Sequence, residues 1–375
     1  MVFHFFRKEF VHSSVFCVAI SGNIRYNHCK HLQHCSEVFD LNIYDVSSRA
    51  NVSIATVSRV LNGNTNVSEK TREKVLSVMK ELGYTPNVFA RGLGLNTMNT
   101  IGIMCCDSSD PYLANAIFYL EQGLRSFRYD ALLCCTGYTL ANKQNYMQLM
   151  LSKRVDALVL AGSMFLSSNP AENQYILEAA KSVPIFLVNG YLKGENIHCT
   201  MCDDYTAVYQ ATEHMIADHR TSLFYLYSTE SYSGLNKLRG FQDACHAHQI
   251  TPRSQKVTFG VDTIQRTKEL LLQLHDSGRR YDAILTSEDA IAVGAVKYAI
   301  ARGISIPDEL AILGYNNSIQ SVCCEPELSS VDTRVADLCD STVHTIMDVL
   351  GGGELPPDTI IPASFVARST TRSVS

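Results

Sequence analysis

The sequence predicts a small all-α head followed by a larger α/β body built as two doubly wound parallel-sheet halves. Three observations predict it. The chain has 375 residues, more than one hydrophobic core ordinarily organises, so two or three domains are expected. Three short amphipathic segments crowd into residues 43–83. Beyond Asn99, apolar runs alternate with amphipathic stretches, the pattern of parallel strands joined by helices.

Residues 1–40 mix aromatics, histidines and cysteines without clear periodicity. They are expected to be a leader, disordered or non-native, left by an over-extended start with translation beginning near Leu41. The apolar run Val15 to Ile20 is too short for a signal-peptide core, and Glu9 breaks the basic lead-in such a peptide carries. The head is expected over 41–83, with helices at 45–50, 54–62 and 69–82. Ser53 and Ser68 are the residue type that caps a helix N-terminus, and Gly83 ends the third helix. Val75, Met79 and Leu82 recur at helical spacing. Helices this short bury their apolar faces only against one another, so a compact three-helix unit follows. Residues 84–98 hold Pro86, Gly92 and Gly94 and read as a hinge.

In the body, strands are expected at Ile101–Asp107, Ala131–Thr136, Val155–Gly162, Pro184–Gly190, Ser222–Tyr227, Ala283–Thr286 and Leu310–Gly314, each buried on both faces. Ligands of such sheets bind outside the carboxyl ends of the strands, so the residues after each run are the candidates for a site.

Composition narrows the function. Apolar residues are 46% and charged residues 18% of the chain, and no run approaches the ~20 apolar residues of a membrane helix. The net charge of −5 divides unevenly: residues 41–95 hold seven Lys/Arg and four Asp/Glu, hence +3, while 96–375 carry −9. A basic head on an acidic body suits a nucleic-acid binder. Thirteen cysteines spread over so long a chain, with the pairs Cys105–Cys106, Cys134–Cys135 and Cys323–Cys324 in or beside apolar runs, read as buried free thiols of a cytoplasmic protein.

The segment Ile43–Asn62 carries the most specific signal. Val46, Ala50, Val52, Val57 and either Val60 or Leu61 form an inner face. Ile54, Ala55, Thr56, Ser58, Arg59 and Asn62 are left outward, as in the recognition helix of a helix-turn-helix motif lying in a major groove. Arg59 is suited to bridge two guanine acceptors, and Ile54 and Ala55 to touch thymine methyls. Tyr44, Ser53, Thr56 and Asn66 suit phosphate contacts, which set register without reading sequence. The alternative is an ordinary helical hairpin with a solvated polar face. The expected partner of such a helix is double-stranded DNA.

This segment resembles the head of the lactose-repressor (LacI/GalR) family, and the resemblance runs over about 42–375. Pro86–Leu93 resembles the family's hinge helix, which implies that Leu93 wedges into the minor groove of a bent operator, bound by a homodimer. A plain flexible linker is the alternative. The body resembles the family's sensor, with the fold of periplasmic sugar-binding proteins. The resemblance rests on Asp107-Ser-Ser-Asp-Pro-Tyr112, Arg154-Val-Asp-Ala-Leu158, Asp289-Ala-Ile-Ala-Val-Gly294, Ile306-Pro-Asp308, Gly314-Tyr-Asn316 and Arg368-Ser-Thr370. It implies that 99–375 is an effector-sensing and dimerisation domain of two interleaved halves, with effector positions at Asp110, Tyr112, Asn189, Lys237, Glu288 and Asn316.

Several of these depart from the family's sugar-binding pattern. Lys237 stands where an arginine is usual, Asn316 where an aspartate follows Gly-Tyr, Glu288 where a neutral residue is common, and Asp110 where an asparagine is usual. A lysine is one mobile charge where arginine offers a planar fork. Because the cation has changed type and a carboxylate has moved from 316 to 288, Lys237 and Glu288 are expected to meet as an ion pair or to share one polar ligand.

Other motifs lead nowhere chemical. His28, Cys29, His31, His34 and Cys35 lack the spacing of a zinc finger. Cys199-Thr-Met-Cys202 lies on an extended stretch, where positions i and i+3 face opposite sides, unlike a redox motif at a helix start. No G-x-S-x-G elbow or Walker-type loop appears. No cofactor, metal, membrane contact or enzymatic activity is expected. The function expected is a transcriptional regulator, a repressor, under a small effector such as a sugar or sugar derivative. The alternatives are a regulator answering to a protein partner, as some family members with lysine at this position do, and a solute-binding protein.

Overall fold

A computed structural model describes residues 41–61, 66–84, 97–258, 260, 262–353 and 358–372. The chain divides into two compact units, Met1–Pro86 and Asn87–Ser375. The expected leader and most of the hinge, including Leu93, fall outside the described residues, as do Asn62 and the His28–Cys35 cluster.

The first unit contains α1 (Ile43–Ala50), α2 (Ile54–Leu61) and α3 (Glu69–Leu82). Helix α1 begins two residues earlier than the hydrophobic pattern suggests, because Asn42 caps it: its side chain accepts from the amides of Tyr44 and Asp45 while Asp45 bonds back to the Asn42 amide. This reciprocal box satisfies donors that an uncapped helix leaves orphaned. Ser53 and Ser68 accept from the amides of Thr56 and Thr71 at 3.2 and 3.3 Å, as caps should. Val46, Ala50, Val57, Val60, Val75, Val78 and Met79 form the core, with Val52, Leu61 and Leu82 packed at its edge.

The second unit holds two six-stranded sheets. The first half comprises β1 (Thr100–Cys105), α4 (Pro111–Ser126), β2 (Asp130–Cys135), α5 (Leu140–Ser152), β3 (Ala157–Ala161), α6 (Gln174–Ala180), β4 (Ile185–Val188) and β5 (Ile197–Cys202). The second comprises α7 (Asp204–Ala217), β6 (Leu223–Tyr227), α8 (Tyr232–Ala247), β7 (Ser254–Lys256), α9 (Thr263–Asp276), β8 (Ala283–Thr286), α10 (Asp289–Arg302), β9 (Ala311–Tyr315), α11 (Ile319–Cys323) and β10 (Ser330–Asp332). The chain then returns to the first half with α12 (Val335–Leu350) and β11 (Thr359–Ile361) and ends in the second with β12 (Ser364–Val366). The sheet orders are β11-β5-β4-β3-β1-β2 and β12-β10-β9-β8-β6-β7. All pairings are parallel except β10 with β12. The halves are thus interleaved, joined by chain crossings after β5, β10 and β11.

Two expectations are corrected. The run Asp130–Cys135 is an edge strand exposed along most of its length, with Leu132 and Leu133 open to solvent; an apolar run does not reveal whether its strand is central or at an edge. Accordingly Cys135 is exposed and Cys134 half-buried, and in the third cysteine pair Cys323 is exposed. Cys105 and Cys106 are buried as expected, and so are Cys199 and Cys202, which lie on β5.

Among the described residues no helix is long and apolar enough to cross a membrane, and no cluster of His, Cys, Asp or Glu is placed to hold a metal ion.

Candidate DNA-binding head and ligand cleft

In the head, burying Val57 and Val60 turns the opposite face of α2 outward. Ile54, Ala55 and Arg59 are exposed there, while Thr56 and Ser58 are half-buried. Tyr44 on α1 is 66% exposed, an unusual place for a large ring that no core contact requires. Ser53 and Asn66 are also exposed. The Ser53 and Thr56 hydroxyls bond to each other at 2.9 Å. The arrangement presents a helix with an arginine and small or apolar side chains outward, flanked by hydroxyl groups, the combination that reads base edges and grips phosphates. The seating of α2 against α1 and α3 comes from the valines. The chemistry comes from what the valines leave outside.

In the body, the carboxyl ends of both sheets face one cleft, and the strand-end loops supply its lining. Asp110 caps α4, accepting from the Leu113 amide at 2.9 Å. Asn189 follows β4 in a left-handed conformation with φ 58°, and Asn316 follows β9 with φ 91°, a backbone region that asparagine tolerates better than most residues. Asn189 is pinned by the Cys202 amide, which donates to Oδ1 at 3.2 Å. Its Nδ2 reaches Ser233 Oγ at 3.4 Å. Ser163 Oγ donates to Ser231 Oγ at 2.9 Å, so both halves are stitched across the cleft floor by side-chain hydrogen bonds.

All six residues expected at the effector site line a single cavity of about 110 Å³: Asp110, Tyr112, Asn189, Lys237, Glu288 and Asn316. Asp110, Tyr112, Glu288 and Asn316 also line an adjoining cavity of about 300 Å³, so the two are lobes of one cleft. The strand-end rule picked out residues that the fold brings together around one cavity. It did not single out Ser163, Ser231 and Ser233, which line the smaller lobe; Ser163 follows β3, Ser231 ends a run of polar residues after β6, and Ser233 is in the first turn of α8.

The expected ion pair is not formed. Lys237 Nζ stands 3.8 Å from the centroid of the Tyr315 ring and donates to the Ser287 carbonyl at 3.3 Å. Tyr315 is itself fixed, its hydroxyl donating to Asp204 Oδ1 at 2.6 Å. The ring face and the carbonyl satisfy the ammonium, which holds it against the wall. Glu288 is left with its Oε1 sealed from solvent and without a hydrogen-bond partner. Burial pushes its carboxyl up to about 7, with Asp110 and Asp289 pushing the same way and Ser228 and Lys237 opposing them. Burial likewise raises Asp110. The Tyr112 hydroxyl is also buried without a partner. By contrast Asp289 is fully engaged, accepting from the Ser318 amide and the Ser330 hydroxyl, both at 2.6 Å. It ties α10 to β10 and lies so close to Gly314 that any side chain there would strike it. Buried polar groups without partners are costly, and here two of them face the same cleft.

A helix-turn-helix unit in series with a body of two parallel-sheet halves defines a DNA-binding regulator. Residues 42–87 match the model for bacterial regulatory proteins of the lacI family, and residues 98–369 match that for periplasmic binding proteins and the sugar-binding domain of the LacI family. The chain belongs to the LacI family and is a DNA-binding transcriptional regulator. It is similar to an HTH-type transcriptional regulator of Lachnoclostridium phytofermentans, 54% identical over 88% of this chain and 99% of that one. It is also similar to catabolite control protein A of Staphylococcus xylosus, 30% identical over 88% of this chain and 99% of that one. Among solved structures, the lac repressor dimer bound to operator and the anti-inducer ONPF superposes with a TM-score of 0.80 at 22% identity, covering 89% of this chain and 99% of that one, which shows a common fold.

Proposed function

We propose that the chain is a sequence-specific repressor that binds a pseudo-palindromic operator as a homodimer and is controlled by a small polar effector in the cleft. The observation that carries this reading is the convergence of Asp110, Tyr112, Asn189, Lys237, Glu288 and Asn316, drawn from separate loops of both halves, on one cavity. A solute-binding protein would have such a cleft but no helix-turn-helix unit.

Tyr44, Ser53, Ile54, Ala55, Thr56, Ser58, Arg59 and Asn66 form the operator surface in this reading, with Asn62 and the wedge Leu93 completing it from outside the described residues. Residues 41–83 are then the DNA-binding domain, 84–98 the hinge and 99–375 the sensor, with 1–40 dispensable. The solved relative's dimeric state supports a homodimer, and so do the apolar side chains left open on α4 and β2, Phe118, Leu132 and Leu133. A symmetric dimer presents two heads, and its operator mirrors that symmetry.

The test is selection of duplexes from random DNA with the full chain, followed by challenge of the selected complex with a panel of monosaccharides and their amino and phosphorylated derivatives. A dyad-symmetric site, released by one class of compound, is the expected result. A site without a dyad contradicts the dimer. Selection with no compound able to shift it contradicts small-effector control and favours a protein partner.

A further inference from the structure

The cleft's unspent charge is negative. Its larger lobe is lined by the carboxylates of Asp107, Asp110, Glu288 and Asp289, with no lysine or arginine among the described residues of the lining. Two of these already accept hydrogen bonds within the protein, Asp107 through one oxygen and Asp289 through both. Asp107 accepts from the Ser109 amide and hydroxyl at 2.9 and 2.7 Å, and Asp289 is held by Ser318 and Ser330. Asp110 spends one oxygen on its helix cap. Glu288 keeps a buried oxygen with nothing bonded to it. The one cation among the described residues lining the smaller lobe, Lys237, is turned onto the Tyr315 ring and the Ser287 carbonyl, so it is already satisfied by the protein.

We propose that the effector is a small polyhydroxylated amine, such as an amino sugar, whose ammonium group is received by Glu288 and Asp110. This rests on the cleft being the effector site and names the chemistry it takes. A neutral polyol would offer hydroxyl donors to Glu288 but add no positive charge beside its buried carboxyl. An ammonium supplies the donors and the compensating charge together. A phosphorylated or carboxylated ligand meets like charge across the larger lobe. A metal ion does not fit, since no set of His, Cys, Asp and Glu among the described residues is placed to hold one. The remaining lining fits a hydroxylated body: Ser163, Ser231, Ser233, Asn189 and Asn316 offer both donors and acceptors, and the buried Tyr112 hydroxyl lacks a partner.

The experiment measures binding of matched probes to the full chain by calorimetry and thermal shift: glucose against glucosamine, galactose against galactosamine, and glucose 6-phosphate. The expected result is that at least one amine binds about tenfold or more tightly than its hydroxyl partner, a difference of about 1.4 kcal/mol. The preference should shrink in Glu288→Gln and in Asp110→Asn, each verified as folded by its own melting transition. A hydroxyl or phosphate member that binds as tightly as its amine partner, or a preference untouched in both variants, overturns the amine class. If a neutral or phosphorylated sugar binds and releases DNA, the sensor reading stands and only the amine falls. If no probe binds while the chain still selects DNA, the amine class is rejected and small-effector control is weakened with it.

Discussion

The Tyr315–Asp204 contact offers a quantitative test of the body's polar core. Tyr315 is fully buried and Asp204 is 2% exposed. Their hydrogen bond, from the Tyr315 hydroxyl to Asp204 Oδ1, is 2.6 Å long, and the buried Asp204 Oδ2 has no hydrogen-bond partner. Tyr315→Phe removes the donor and keeps the ring on which Lys237 rests. Hydrogen bonds to charged groups contribute about 1.5–3 kcal/mol, and orphaning a buried acceptor adds its desolvation penalty. The short distance and complete burial place this pair at the upper end, so a loss of about 2–3 kcal/mol is expected. For a body of this size that lowers Tm by about 4–12 °C. Scanning calorimetry of Tyr315→Phe, Asp204→Asn and the double variant measures it. The double variant should cost less than the sum of the singles, because a neutral amide beside phenylalanine leaves no buried charge. A single Phe variant that melts with wild type, or strictly additive losses, would refute the pairing.

Arg59→Ala should weaken operator binding by about 1–3 kcal/mol and relax preference at one base position; affinity falling equally on all duplexes in an anisotropy titration would make Arg59 a phosphate contact. Gly240→Ala should destabilise the body by about 1–3 kcal/mol in urea unfolding, because the added Cβ would lie 2.4 Å from the Tyr205 carbonyl oxygen where α7 and α8 cross. Unchanged stability would show that the helices separate freely there. Glu288 has its folded carboxyl raised from near 4.5 to about 7, so its contribution to stability is fully present below the lower value and lost as pH rises through the upper. Glu288→Gln escapes that loss, and its stability should therefore gain on wild type across this window in pH-dependent melts; a constant difference would contradict the burial of the group.

Much of the molecule was legible in the sequence, for physical reasons. The central strands β1, β3 and β4 are apolar on both faces because both faces are covered. The head's valines repeat at helical spacing because three short helices share one core. Positions at strand ends were readable as the lining of one cleft because the topology of doubly wound sheets brings them together. What escaped depends on contacts remote in sequence. β2 has an apolar content like its neighbours' but lies at the sheet edge, exposed along most of its length. The strands β10, β11 and β12 have three residues each and exist only through pairing with distant partners. Lys237 was expected to pair with Glu288 or share one polar ligand with it, but the ammonium rests on the Tyr315 ring and the Ser287 carbonyl, neither of which a charge pattern reveals.

The most direct test of the central claim, that one chain joins operator recognition to ligand sensing, is a linkage measurement. The dissociation constant for the selected duplex is determined with and without saturating cleft ligand, and that of the ligand with and without saturating duplex. The expected result is that the two ratios are equal and differ from one, since coupling between two sites is reciprocal, and that Lys237→Met or Glu288→Gln reduces both together. Duplex affinity that does not change at ligand saturation would contradict the claim.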